Sequence, residues 1–302
     1  MDEETIFYPK NCPMVVKRMA ENVKIAAVQM NPQILEKERN LERCLDSIRV
    51  ASKNGAHLIV FPECALTGYC FASREEAMTM AEPLPGWSTK AIASLCKELG
   101  VYVVIGLIEK SRGKMYNAAA LLGPEGLIGK HRKTHLPYLG LDRFVDRGDM
   151  PFRIYSTPIG KLGTIICFES RFPETARVLA LAGAEVILLP TNWPEGAQSV
   201  PEFVVNTRAY ENRVNCVAVN RVGIERGFRF IGRSKIVDTS GRTLVEGGSE
   251  REEVLYAILD IGSARVKHVV IRPKEFELPL WAERRPEMYG AITRRKLSPP
   301  ES

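Results

Sequence analysis

The chain has 302 residues, 45% hydrophobic and 26% charged, with a net charge of +6. That length buries a large core, as one big α/β domain or two ordinary ones, and the composition is that of a soluble globular protein. The charge is mild and mostly interleaved, as in "LEKERNLER", which argues against a nucleic-acid partner, and no apolar run reaches the ~20 residues that cross a membrane.

In chain order, residues 1–21 have no period and read as an N-terminal extension. "MDEETIFYPKN" is acidic and lacks the apolar stretch of a secretory leader. "NVKIAAVQM" reads as a buried strand. "ILEKERNLERCLDSIRVASKNG" carries Leu35, Leu41, Leu45, Ile48 and Val50 near helical spacing and stops at Gly55. "AHLIVFPE" is a second strand, ended by Pro62. "STKAIASLCKELG" is a helix closed by Gly100, and "VYVVIGLIEK" a strand. "KMYNAAALLGPEGLIGKHRK" reads as a hairpin turned at Gly123-Pro124-Glu125-Gly126.

The second half runs strand, helix, strand through "KLGTIICF", "PETARVLALAG" and "AEVILLP". A helix, "PEFVVNTRAYENR", and a strand, "CVAVNRVG", follow. The hairpin "SKIVDTSGRTLVEG" turns at Ser240-Gly241, and "REEVLYAILD" is a last strand. Strands alternate with helices and hairpins are mixed in, so the expected class is α/β with mixed sheets. No Gly/Ser or Pro linker divides the chain. A single domain is expected over residues 22–290, with a tail at 291–302.

The cysteines are Cys12, Cys44, Cys64, Cys70, Cys96, Cys167 and Cys216. Their odd number and irregular spacing favour free thiols in a reducing, cytoplasmic setting.

Cys167 ends an apolar strand. Pro173 suits the first turn of the helix that follows, and Glu174 adds favourable charge there. A strand-to-helix turn of this kind exposes a nucleophile and offers a backbone N–H to an oxyanion. Taken alone, Cys167 is better read as a small buried apolar side chain. Glu63 stands just past a strand, where a carboxylate serves as a general base. Lys133 follows a hairpin strand, where an ammonium stabilises developing negative charge. Each of these two, alone, reads better as a surface charge. His131 and His135 are four apart, but Pro137 follows and no further ligand completes a metal set, so neither a metal nor a cofactor is expected.

Together these stretches form a pattern. "FPECALTGY", "HRKTHLP" and "CFESRFPE" resemble, in order, the glutamate, lysine and cysteine motifs of the nitrilase, or carbon–nitrogen hydrolase, superfamily. The resemblance runs from about Val23 to about Tyr289 and includes "KIAAVQMNP", "FRFIGRSKIVDTSG" and "RRPEMYG". It implies an α-β-β-α sandwich with two mixed sheets. It also implies a catalytic triad: Glu63 as general base, Lys133 as electrostatic stabiliser and Cys167 as nucleophile, with the Phe168 N–H facing the oxyanion.

Two positions depart from the family pattern. No glutamate follows the lysine segment in "LPYLGLDRFVDRGD", where Asp142 is the nearest substitute. Glu169 stands two residues after the cysteine, as in nitrile-acting branches, although "SRFPE" continues in the amidase style. Tyr69, Tyr138, Asp142, Phe168, Glu169, Asn192 and Trp193 are the candidate substrate-binding residues. The expected function is hydrolysis of a small amide or N-carbamoyl compound through a thioester. A nitrilase is the alternative, and an acyltransferase or a non-catalytic interaction protein stands behind it. A homodimer or larger homo-oligomer is expected, with contacts at "ARVLALAG" and "LPLWAERRPEMYG".

Overall fold

The computed structural model of the protein describes residues 21–294. The expected N-terminal extension, except for Glu21, and the end of the tail lie outside the described residues.

The first half contains β1 (Asn22–Gln29), α1 (Lys37–Lys53), β2 (Leu58–Val60), α2 (Arg74–Met80), α3 (Trp87–Leu99), β3 (Tyr102–Ser111), β4 (Lys114–Gly123) and β5 (Gly126–Arg132). The second half contains β6 (Ile154–Thr157), β7 (Gly160–Thr164), α4 (Pro173–Leu181), β8 (Val186–Pro190), α5 (Val205–Asn212) and β9 (Asn215–Val219). The strands β10 (Val222–Glu225), β11 (Phe228–Ile231), β12 (Lys235–Val237), β13 (Thr243–Glu246) and β14 (Glu253–Asp260) follow, then β15 (His268–Arg272), β16 (Phe276–Pro279) and α6 (Gly290–Thr293).

Two six-stranded mixed sheets result, ordered β14-β1-β2-β3-β4-β5 and β13-β12-β9-β8-β7-β6. Each has three parallel strands at its centre: β1, β2 and β3 in one, β7, β8 and β9 in the other. The similar order of elements in the two halves of the sequence is therefore a repeated sheet plan.

Strand periodicity explains the layers. Along β1, Ile25 and Ala27 pack between the sheets, while Ala26 and Val28 face the helix layer. Along β3, Val104 faces the other sheet, and Val103, Ile105 and Leu107 face the helices. Leu41, Cys44 and Ile48 of α1 and Ile92, Leu95 and Cys96 of α3 cover this side. Ala176 and Leu179 of α4 with Val205 and Ala209 of α5 cover the second sheet. This is the α-β-β-α sandwich expected from the resemblance.

The differences from the sequence reading have local causes. "CVAVNRVG" is two strands, because buried Asn220 spends its side chain on Trp193 and Gly232 and ends β9 there. β10 then pairs with β11 as a separate hairpin. The helix read over 201–213 begins as a wide turn over Val200–Val204 before α5. Helix α2 went unread, although the Ser73 hydroxyl caps it by accepting the Glu76 N–H at 3.2 Å.

Candidate active site

Glu63 lies just beyond β2, where its loop rests directly on β3. Gly106 permits this contact: a Cβ there would stand 2.4 Å from Cys64 N and 2.5 Å from Pro62 O. The Gly106 N–H donates to Pro62 O at 3.2 Å, and Cys64 takes a left-handed φ of 52°. The carboxylate is thereby turned into the sandwich edge and is 1% exposed.

Lys133 follows β5 directly and is completely buried. Its Nζ donates to Glu63 Oε1 at 2.7 Å and to Asp142 Oδ2 at 2.5 Å. Asn117, on β4, uses its one Nδ2 on both carboxylates, Glu63 Oε1 at 2.6 Å and Asp142 Oδ1 at 2.8 Å. The Tyr69 hydroxyl donates to Asp142 Oδ2 at 2.7 Å. Burial would lower the Lys133 pKa, but the carboxylates of Asp142 and Glu63 more than reverse it and hold Lys133 well above its ordinary value. Burial raises the Glu63 carboxyl above the usual range; Lys133 opposes the rise and Asp142 adds to it.

Cys167 opens a short 3₁₀ turn, Cys167–Arg171, between β7 and α4. Its φ of 46° is unusual for a residue with a side chain and marks a sharp turn with local strain. The turn leaves the Phe168 N–H without a protein acceptor among the described residues. Pro173 sits at the start of α4, where its missing N–H costs no bond. Burial, then the Glu63 charge, pushes the Cys167 thiol up to about 12; Lys133, the Thr191 hydroxyl and the Asn192 N–H oppose this. The charge pattern explains the result. One ammonium already faces two carboxylates, so a resting thiolate would be a second uncompensated negative charge. These charges favour the neutral thiol at Cys167, and Glu63 Oε2 is buried with no hydrogen-bond partner.

A cavity of about 280 Å³ opens onto Cys167. Of the candidate binding residues, Phe168, Asn192 and Trp193 line it, together with Pro137, Leu139, Arg171 and the segment 194–197. The other four candidate binding residues stand elsewhere. Tyr138 is 91% exposed and turned to solvent, while its neighbours Pro137 and Leu139 face the cavity. Tyr69 and Asp142 are buried behind the lysine and bonded to each other.

Glu169 is also buried and points away from the cavity. It accepts the Ile166 N–H at 2.7 Å, the Thr134 N–H at 2.8 Å and the Thr134 hydroxyl. Its Oε2 lies 2.7 Å from His131 Nε2. Despite burial, which acts to raise it, His131, His135 and Thr134 hold this carboxyl well below the usual range. The two histidines belong to this network: His131 stacks on Phe152 and His135 on Phe172.

The sequence reading missed Asn117 and Gly106. Asn117 had a signal, since a lone amide inside the apolar run "MYNAAALL" must find buried partners. Gly106 had none, because only the packed loop shows why a Cβ is excluded.

The carbon-nitrogen hydrolase family model matches residues 24–267. A protein named nitrilase from Pyrococcus abyssi is 42% identical over 82% of this chain and 93% of its own length. An omega-amidase from Bos taurus is 31% identical over 88% of this chain and 96% of its own. An N-carbamoylputrescine amidase from Solanum lycopersicum is 32% identical, covering 81% and 86%. Among solved structures, a carbon–nitrogen hydrolase from Helicobacter pylori superposes with a TM-score of 0.81 at 24% identity, covering 91% of this chain and 99% of that one, a likeness of fold. On this sequence evidence the chain belongs to the carbon–nitrogen hydrolase family and is an enzyme of the nitrilase superfamily.

Proposed function

We propose that the enzyme hydrolyses a small primary amide or N-carbamoyl compound through a Cys167 thioester. The observation that carries this reading is the unpartnered Glu63 Oε2, buried in a site where the Glu63 charge acts on the neutral Cys167 thiol. An acceptor kept free of hydrogen bonds is what a general base needs.

As Sγ attacks the carbonyl carbon, the thiol proton moves to Glu63 and an S–C bond forms. The carbonyl electron pair moves onto oxygen, where Lys133 and the Phe168 N–H meet it. The oxyanion then collapses, the C–N bond breaks, and Glu63 returns its proton to the departing ammonia. Water gives a proton to Glu63 and adds to the thioester. The S–C bond breaks, the sulfur recovers the proton, and the acid leaves; an N-carbamoyl substrate gives a carbamate, which loses carbon dioxide to leave the amine. Asp142 and Asn117 touch no reacting atom in this scheme and act by holding Lys133 and Glu63.

The name of the Pyrococcus abyssi relative favours nitrile hydrolysis as the second reading. The test is one acyl group offered as amide and as nitrile, with ammonia release compared. A higher kcat/KM for the nitrile would replace the amide reading with the second one.

The free, buried thiols Cys44, Cys64, Cys70, Cys96, Cys167 and Cys216 suit a reducing cytoplasm. A homodimer fits the apolar side chains left exposed on α4 and the tail, Val178, Leu181, Tyr289 and Ile292. Light scattering at micromolar concentration should give at least twice the chain mass.

A further inference from the structure

Asn192 lies two residues beyond β8 and lines the Cys167 cavity. Cys167 lines the same cavity, so a substrate seated there would meet both residues. Its side chain is completely buried, yet neither Nδ2 nor Oδ1 has a hydrogen-bond partner. Burying an amide with neither half satisfied is costly, and such groups normally find protein partners. Asn220, on the facing strand end, shows the contrast: its side chain bonds Trp193 twice and Gly232 once.

An unpaired side-chain amide offers one donor and one acceptor side by side. The complementary group is another primary carboxamide. Nδ2–H would meet its carbonyl oxygen, and one of its N–H groups would meet Oδ1. We propose that Asn192 pairs in this way with the scissile carboxamide and is the residue that selects an amide over a nitrile. The proposal rests on the amide reading above. Such a pair is coplanar with the substrate amide and leaves both faces of the carbonyl carbon open, one of them to Sγ. The second lone pair of the oxygen stays free for Lys133. A nitrile has no N–H to give and leaves Oδ1 buried and unpaired. Sites built to hydrogen-bond an N–H discriminate strongly against analogues that lack it.

The test compares one acyl group as primary amide, nitrile and methyl ester, on the wild type, Asn192→Leu and Asn192→Asp. In Asn192→Leu, kcat/KM for the amide should fall about 100-fold, while that for the nitrile changes less than about threefold. Asn192→Asp, which keeps the shape and loses the donor, should move the ratio the same way. Circular dichroism melting checks the fold of each. If neither variant folds, the wild type still decides the matter. The methyl ester, intrinsically the more reactive acyl donor, presents no N–H and should be cleaved with lower kcat/KM than the amide. An unchanged amide-to-nitrile ratio in a folded variant, or a faster ester, overturns the role of Asn192. A wild type that prefers the nitrile overturns the amide reading itself, so the two failures are distinguishable.

Discussion

Glu169 Oε1 accepts the backbone N–H of Thr134 at 2.8 Å. Thr134 is the residue after Lys133, and Glu169 stands two residues after Cys167. One carboxylate therefore ties the end of β5 to the turn after β7, and its other oxygen accepts the Ile166 N–H on the near side of Cys167. Glu169 thus bridges the backbone next to the lysine and the backbone next to the cysteine.

Glu169→Gln should lower both stability and turnover. A glutamine offers one acceptor where the site presents several donors, so a buried N–H group is left facing another, at a cost of about 1–3 kcal/mol. The Glu169 pKa is depressed in the fold, so its ionic contribution is complete above the ordinary glutamate value of ~4.3 and is lost as pH falls through the lower folded value. Urea denaturation at pH 7 and pH 3.5 should show the wild-type advantage shrinking in acid. kcat should fall at least tenfold, with a smaller change in KM. Equal kcat in a folded variant would show that the tie is only structural.

Glu63→Gln should abolish most turnover yet make Cys167 easier to ionise. Removing the base costs about 10²–10⁴ in rate, but it also removes a negative charge that, after burial, helps push the thiol up to about 12. Iodoacetamide labelling followed by peptide mass spectrometry should give an alkylation profile for Cys167 that moves to lower pH. In the wild type, the acid limb of kcat/KM should lie above ~4.3, because the raised Glu63 loses its base form as pH falls through its folded value. An alkylation profile that does not move would place the carboxylate away from the thiol.

Asp142→Asn should lower the Lys133 pKa. Burial acts to lower it, and Asp142 is the first carboxylate opposing that. The alkaline limb of kcat/KM should move to lower pH, and kcat/KM should fall about tenfold or more. Asp142→Glu should restore the limb by restoring the charge. A limb unmoved in Asp142→Asn would mean that Glu63 alone holds the lysine.

Gly106→Ala should disturb Glu63 from a distance. The added Cβ meets backbone atoms of Pro62, Glu63 and Cys64 at 2.4–2.6 Å, which cannot swing aside as a flexible side chain does. We expect a loss of about 1–3 kcal/mol on urea denaturation, the usual cost of overpacking, and a fall in kcat beyond what unfolding explains. An unchanged kcat would show that the loop has slack.

The sequence was informative about strand ends and poor about side-chain direction. Apolar runs located the central strands, and Pro62, Pro173 and Gly100 marked where elements stop or start. That places Glu63, Lys133, Cys167 and Asn192 at strand ends. Which way a side chain turns beyond its strand depends on neighbours remote in the chain. Tyr138 and Leu139 are adjacent, yet one faces water and the other the cavity. Glu169 looked like a pocket residue because it is close to Cys167 in sequence, but the N–H groups of Ile166 and Thr134 draw it the other way. Asp142 lacked a partner until the 3₁₀ turn Gly140–Arg143 carried it to Lys133.

Glu63 and Lys133 follow β2 and β5 of one sheet, while Cys167 and Asn192 follow β7 and β8 of the other. Neither sheet alone carries both the cysteine and the glutamate. During synthesis β2 and β5 are made before Cys167, whereas β14, the outer strand of their sheet, is made after it. A chain whose sheets have not yet closed on each other holds an ordinary cysteine. Bringing Glu63 and Lys133 against Cys167 requires the two sheets to dock, so recovery of turnover after refolding should time that docking more directly than recovery of secondary structure.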